Sequence, residues 1–210
     1  MAGLLIIAYP VGATTLTFDY NFTFSGTDPG GTPPWLTATF DDQGGSGSVN
    51  LTMTAANLTG SEFISKWYFN LNPALNPALL TLSHVSGDTA SSISKGVDAF
   101  KADGDGYYDL LFSFPTSDNQ NRFGAGESSV YTISGISSLT ADDFDFTSVP
   151  GGGAGVYQAA SHVQSIDAAC DENSGWIAPG GSTNVPEPLS IILLGLGLVA
   201  VAGMGRRLKS

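Results

Sequence analysis

An all-β fold is what this 210-residue sequence predicts: an antiparallel β-sandwich, jelly-roll-like or Greek-key, followed by a single C-terminal transmembrane helix. Three observations carry the prediction. Apolar side chains in the middle of the chain recur with a period of two rather than 3.6. Clusters of Gly, Pro, Asn and Asp interrupt those runs, and no fixed period marks a solenoid or propeller. The last apolar run, by contrast, is unbroken by any charge.

From Thr15 to Phe24, Leu16, Phe18, Tyr20, Phe22 and Phe24 alternate with Thr15, Thr17, Asp19, Asn21 and Thr23. This predicts a half-buried strand with an aromatic inner face. Leu36, Ala38 and Phe40 alternate with Thr37 and Thr39, and Val49, Leu51 and Met53 with Asn50 and Thr52. Glu62 to Leu71, with Phe63, Trp67, Phe69 and Leu71 inward, and Leu79 to Val85 continue the pattern. Later strands are expected at Tyr107 to Phe114, Ser129 to Ser134, Phe144 to Val149 and Val156 to Ile166. Segments such as Asp28-Pro29-Gly30-Gly31 and Pro150-Gly151-Gly152-Gly153 supply the fixed or positive φ that turns need. Leu139 to Phe144 reads as one helical turn, with Thr140 as its cap and acids at its positive end. The sandwich domain is assigned to residues 14–170. Residues 171–184, rich in Gly, Ser and Asn, read as a flexible spacer.

The formal net charge is −12. Between Thr14 and Val185 the only bases are Lys66, Lys95, Lys101 and Arg122. Such a surface repels nucleic acid and anionic lipid, so neither is expected as a partner of the domain. It attracts divalent cations and tolerates a hydrated polysaccharide. Cys170 is the single cysteine, which excludes an intrachain disulfide, and with His84 and His162 it forms no zinc spacing.

Both ends of the chain are apolar. Residues 1–13 read as the remnant of a signal peptide: an apolar stretch, Pro10 as a breaker, then Val11-Gly12-Ala13 with small residues where signal peptidase needs them. Cleavage is expected after Ala13, although the basic leading region is missing. At the other end, Pro186-Glu187-Pro188 precedes a charge-free run from Leu189 to Met204, and Arg206-Arg207 with Lys209 follows. As a helix, residues 189–204 rise roughly 24 Å, somewhat short of the ~30 Å hydrocarbon core. Snorkelling arginines or local thinning covers the mismatch, and the terminal cations place that end in the cytoplasm.

The order of these parts, Pro186-Glu187-Pro188, apolar helix and terminal Arg206 and Arg207, resembles the PEP-CTERM sorting signal. The resemblance covers residues 185–210. It implies an exported protein of a Gram-negative bacterium that makes exopolysaccharide, held in the inner membrane in transit. It also implies processing by an exosortase-like membrane protease and delivery to the cell surface or extracellular matrix. An ordinary tail anchor is the plainer alternative.

Chemistry-bearing residues are sparse. Asp103-Gly104-Asp105-Gly106-Tyr107-Tyr108-Asp109 sets carboxylates at positions 1, 3 and 7 of a glycine-containing turn. Asp103, Asp105 and Asp109 are therefore the candidate ligands of a weak calcium site, the only cofactor expected and not a required one. Against it, Tyr107 replaces the fifth-position ligand, and Phe114 stands where an EF-hand has Glu. The other reading is an acidic turn entering the strand at Tyr107. Asp142, Asp143 and Asp145 form a second acidic cluster, read as a solvated helix start before any glycoside hydrolase pair. No Gly-x-Ser-x-Gly elbow accompanies His84 or His162, and no catalytic residue is assigned. Trp35, Trp67, Trp176, Tyr107, Tyr108 and Tyr157 are either packing residues or a sugar-stacking platform. The expectation is a non-enzymatic exported protein. A carbohydrate-binding module is the alternative, and a hydrolase of matrix polymers a more distant one.

Overall fold

The computed structural model describes residues 13–103, 105–117, 121–152, 155–166 and 173–180. Twelve strands run through them. The first four are β1 (Thr15–Gly26), β2 (Leu36–Asp41), β3 (Ser48–Thr54) and β4 (Phe63–Phe69). Two further strands, β5 (Thr81–Gly87) and β6 (Ser92–Lys101), precede β7 (Gly106–Ser113). Short β8 (Phe123–Gly124) leads to β9 (Ser128–Ser134), and β10 (Val149–Pro150) to β11 (Ala159–Gln164) and β12 (Ser174–Pro179). The strands pair antiparallel throughout, in the order β10-β7-β4-β11-β12-β1-β2-β3-β9-β5, with β6 on β7 and β8 on β4.

One continuous sheet therefore takes the place of two separate ones, and β1 is its joint. Residues 15–20 of β1 pair with β2, whereas residues 20–26 pair with β12. The sheet then doubles back. Phe40 of β2 and Phe69 of β4 meet edge-to-face at 5.2 Å. Three strands lie between them in the sheet, each step being about 4.8 Å. Phe112 of β7 and Tyr131 of β9, still further apart along the sheet, lie 5.1 Å apart. Contacts of this kind require two layers face to face, which is a sandwich-like arrangement. Tyr20, Trp67, Phe40 and Phe144 fill the space between them; Phe40 and Phe144 stack at 4.2 Å.

Several expectations need correction. The aromatic face of β1 is not uniform. Leu16, Phe18 and Tyr20 face the core, but the register with β12 shifts between Tyr20 and Phe22 and again between Thr23 and Ser25. A bulge inverts side-chain direction, so Phe22 and Phe24 leave the core and meet Tyr157 instead. The spacer assigned to residues 171–184 contains β12, which lies between β1 and β11. Ile177 is fully buried there, and a Cβ on Gly175 would come within 2.1 Å of the Thr27 carbonyl oxygen. The compact unit accordingly extends to Gly180 rather than ending at residue 170. Phe144 to Val149 is not a strand. Ala141–Phe144 is a 3₁₀ turn, and pairing resumes only at Val149. Thr140 is the N-cap of that turn, as expected, and forms a capping box with Asp143, whose carboxylate accepts the Thr140 N–H at 3.0 Å and its hydroxyl at 3.2 Å.

Among the described residues no helix is long and apolar enough to cross a membrane. The helix expected from Leu189 to Met204 lies outside them. So do residues 1–12, Cys170, the triplet Pro186-Glu187-Pro188, and Arg206 and Arg207.

Candidate functional site

The back of the sheet, away from the core, carries a second aromatic group. Phe24 stacks on Tyr157 at 5.0 Å, and Phe22 lies 5.9 Å from the same ring. Trp176 of β12 follows, 6.4 Å from Phe24 and 5.9 Å from Tyr68 of β4. Tyr68 contacts Tyr108 of β7 at 5.5 Å. On the other side of Trp176, the His162 imidazole of β11 stacks at 4.3 Å. The row thus draws on five strands, β1, β4, β7, β11 and β12, and on the connection that carries Tyr157. The two bulges of β1 supply Phe22 and Phe24, and β4, whose bulge lies at Ser65, presents Tyr68 on the same face as His162 and Trp176. Phe22 is 44% exposed and Trp176 and Tyr157 are half-buried, so the edge of the row meets solvent.

Two polar contacts anchor it. Tyr108 donates its hydroxyl to Asp105 Oδ2 at 2.5 Å. Asp105 is 1% exposed, and its Oδ1 is buried without a hydrogen-bond partner. Burial pushes the Asp105 carboxyl up to about 6, and the Tyr108 hydroxyl bond opposes that rise. Ser65 Oγ lies 2.9 Å from His162 Nδ1. Burial first, and then the nearby Lys66 charge, lowers the imidazole to about 4, so it is neutral at neutral pH. A serine beside a neutral imidazole has the make-up of a nucleophile and its base. Here Ser65 is 3% exposed, and its hydroxyl also lies 3.2 Å from the His162 carbonyl oxygen as donor.

The other predicted residues are placed as follows. Trp35 and Trp67 belong to the core between the layers. Tyr107 stands outside the aromatic row, with the Lys101 ammonium 5.7 Å over its ring. Asp103, Asp105 and Asp109 are not brought together. Asp109 accepts the Leu71 and Asp98 N–H groups, each at 2.8 Å, while Asp105 turns inward to Tyr108 and Asp103 is exposed. Among the described residues no group of three His, Cys, Asp or Glu side chains is arranged to hold a metal ion. In the second acidic cluster, Asp143 is tied to Thr140 and to the Asn72 amide, and Asp145 accepts from Gln158. Ala13 is exposed, and the next residue, Thr14, donates its N–H to Asp42.

Sequence reasoning found Trp176, Tyr108 and Tyr157 but missed Phe22, Phe24, Tyr68 and His162 as their neighbours. The missing signal was register. Bulges in β1 and β4 change which face a residue takes, and single-chain alternation does not show them.

Fold and surface define an acidic, all-β domain with an aromatic outer face. The chain also carries a PEP-CTERM protein-sorting motif, whose family model matches residues 184–207, beginning four residues after the domain ends at Gly180. That motif implies an exported protein that passes the membrane and is processed by exosortase, itself a membrane protein. No curated protein and no solved structure matches the chain.

Proposed function

We propose that this is a non-enzymatic surface or extracellular-matrix protein of an exopolysaccharide-producing Gram-negative bacterium, sorted through its C-terminal signal. The observation that carries this is the sorting motif at residues 184–207, next to a domain that closes at Gly180. Removal of residues 1–13 by signal peptidase frees the N-terminus. Pro186, Glu187 and Pro188 form the element that the exosortase-like protease reads. Residues 189–204 hold the substrate in the inner membrane, and Arg206 and Arg207 set its orientation. Deleting residues 185–210 is expected to abolish membrane retention and release the domain to the soluble exported fraction. Unchanged retention and processing would overturn this reading.

A second reading is favoured by the outer aromatic row: the domain binds a polysaccharide by stacking sugar faces on Phe22, Tyr157 and Trp176. Aromatic faces suit the apolar C–H faces of pyranose rings, and the acidic surface selects an uncharged or cationic polymer. Trp176→Ala should abolish retention on such a polymer in affinity electrophoresis while the thermal midpoint shows that the domain is folded. Equal mobility of both proteins in gels with and without polymer would dismiss it.

A further inference from the structure

The beginning of the domain rests on a buried acid. Thr14 donates its backbone N–H to Asp42 Oδ1 at 2.8 Å, and the Asp42 N–H returns a bond to the Thr14 carbonyl at 3.2 Å. This two-way clasp holds the entry of β1 against the exit of β2. Asp42 is only 6% exposed. Its other donors are the Gly44 N–H at 3.0 Å and the Ala141 N–H at 3.5 Å. These amides are neutral, as is the Thr14 hydroxyl that also bonds the carboxylate, and the charged side chains of the adjoining segments are the acids Asp41, Asp142 and Asp143. The backbone bonds, that from Thr14 foremost, hold the Asp42 carboxyl below the ordinary carboxylate range. It is therefore an ionised, buried group that receives no formal charge from these partners. Ala13, one residue before Thr14, is exposed.

We propose that Asp42 is the built-in receptor for the α-amino group created at Thr14 when the signal peptide is removed. The proposal rests on cleavage after Ala13, put forward above. Hydrolysis breaks the Ala13–Thr14 C–N bond. Water gives its oxygen to the Ala13 carboxylate and its two hydrogens to the Thr14 nitrogen, which becomes an ammonium at neutral pH. The nitrogen is already at bonding distance from Oδ1, so a neutral donor turns into a charged one without moving. A charge-assisted bond is roughly twice as strong as a neutral one, and this pair is part-buried. Processing thereby strengthens the domain at the point where it is cut. For a domain of this size the gain should raise the thermal midpoint by about 2–4 °C.

The test compares two full chains in detergent, one starting at Thr14 and one at Ala13, each released from an N-terminal fusion. Both are made with and without Asp42→Asn. With Asp42 present, the Thr14 chain should melt about 2–4 °C higher; with Asp42→Asn, the two starts should melt together. Equal midpoints with Asp42 present overturn the pairing. Should Asp42→Asn fail to fold, acetylating the α-amine of the Thr14 chain gives the same contrast. Loss of the extra stability is then expected, and an unchanged midpoint overturns the proposal. N-terminal sequencing of the exported protein separates the two claims. A mature start other than Thr14 overturns the processing step, whereas equal midpoints overturn the pairing with that step intact.

Discussion

Buried carboxylates in this domain act as clamps on the backbone. Glu62, 4% exposed, accepts the Gly30 and Thr59 N–H groups at 2.7 Å each. Asp109, 7% exposed, does the same for Leu71 and Asp98. Replacing either by Ala strands two N–H groups, and each substitution should cost ~2–4 kcal/mol in urea unfolding. Asp103→Ala, at an exposed turn whose φ of 47° Asp tolerates better than Ala, should cost less, ~1 kcal/mol. Because Asp109 is committed to these bonds, millimolar calcium should leave the thermal midpoint where it was. The outer face gives two opposed pH effects. His162, lowered from 6.5 to about 4, is held neutral when folded, so its contribution is present above pH 6.5 and lost as pH falls toward 4. Asp105, raised from 3.8 to about 6, contributes stability below pH 3.8 that is lost as pH rises through 6. Urea titrations across pH 4–7 should show the acid-side slope becoming shallower in His162→Gln. Asp105→Asn should gain ~1–2 kcal/mol at pH 7.

Among the elements, β12 is the most consequential. It bonds to β1 on one side and β11 on the other, so it is the seam between the halves of the sheet. A chain ending at Asn173 should lose its cooperative thermal transition by circular dichroism, whereas one ending at Gly180 should keep it. Ile177→Ala, at a fully buried position, should cost ~2–5 kcal/mol. This strand was hidden in the sequence because Ser174 and Gly175, with the nearby Gly180 and Gly181, imitate a linker. Gly175 is there because Thr27 passes too close for a side chain, not because the backbone is loose. β6 was hidden for a different reason. Its face is mostly exposed at the sheet edge, so Ser, Lys and Asp replace the apolar alternation that marks β2, β3 and β9. Those three have one face on the core and one toward water, and their period of two was plain. The aromatic row was legible in composition but not in place, since β1 changes face at its bulges.

At the scale of the whole molecule, charge and address act separately. A formal charge of −12, with few bases before the C-terminal cluster, keeps polyanions away from the domain. No retention on nucleic acid is expected at low salt, where a basic site would bind most strongly. The sorting motif occupies residues 184–207, after the last strand in the sequence. The joint made by β1 also imposes an order on assembly. Synthesis delivers β1 first and β12 last, about 150 residues later. The partnership between Tyr20 and Pro179 cannot form until nearly all of the domain has left the ribosome. A chain not yet complete to Gly180 therefore carries an unfinished sheet. Closure arrives as the sorting signal itself is being delivered.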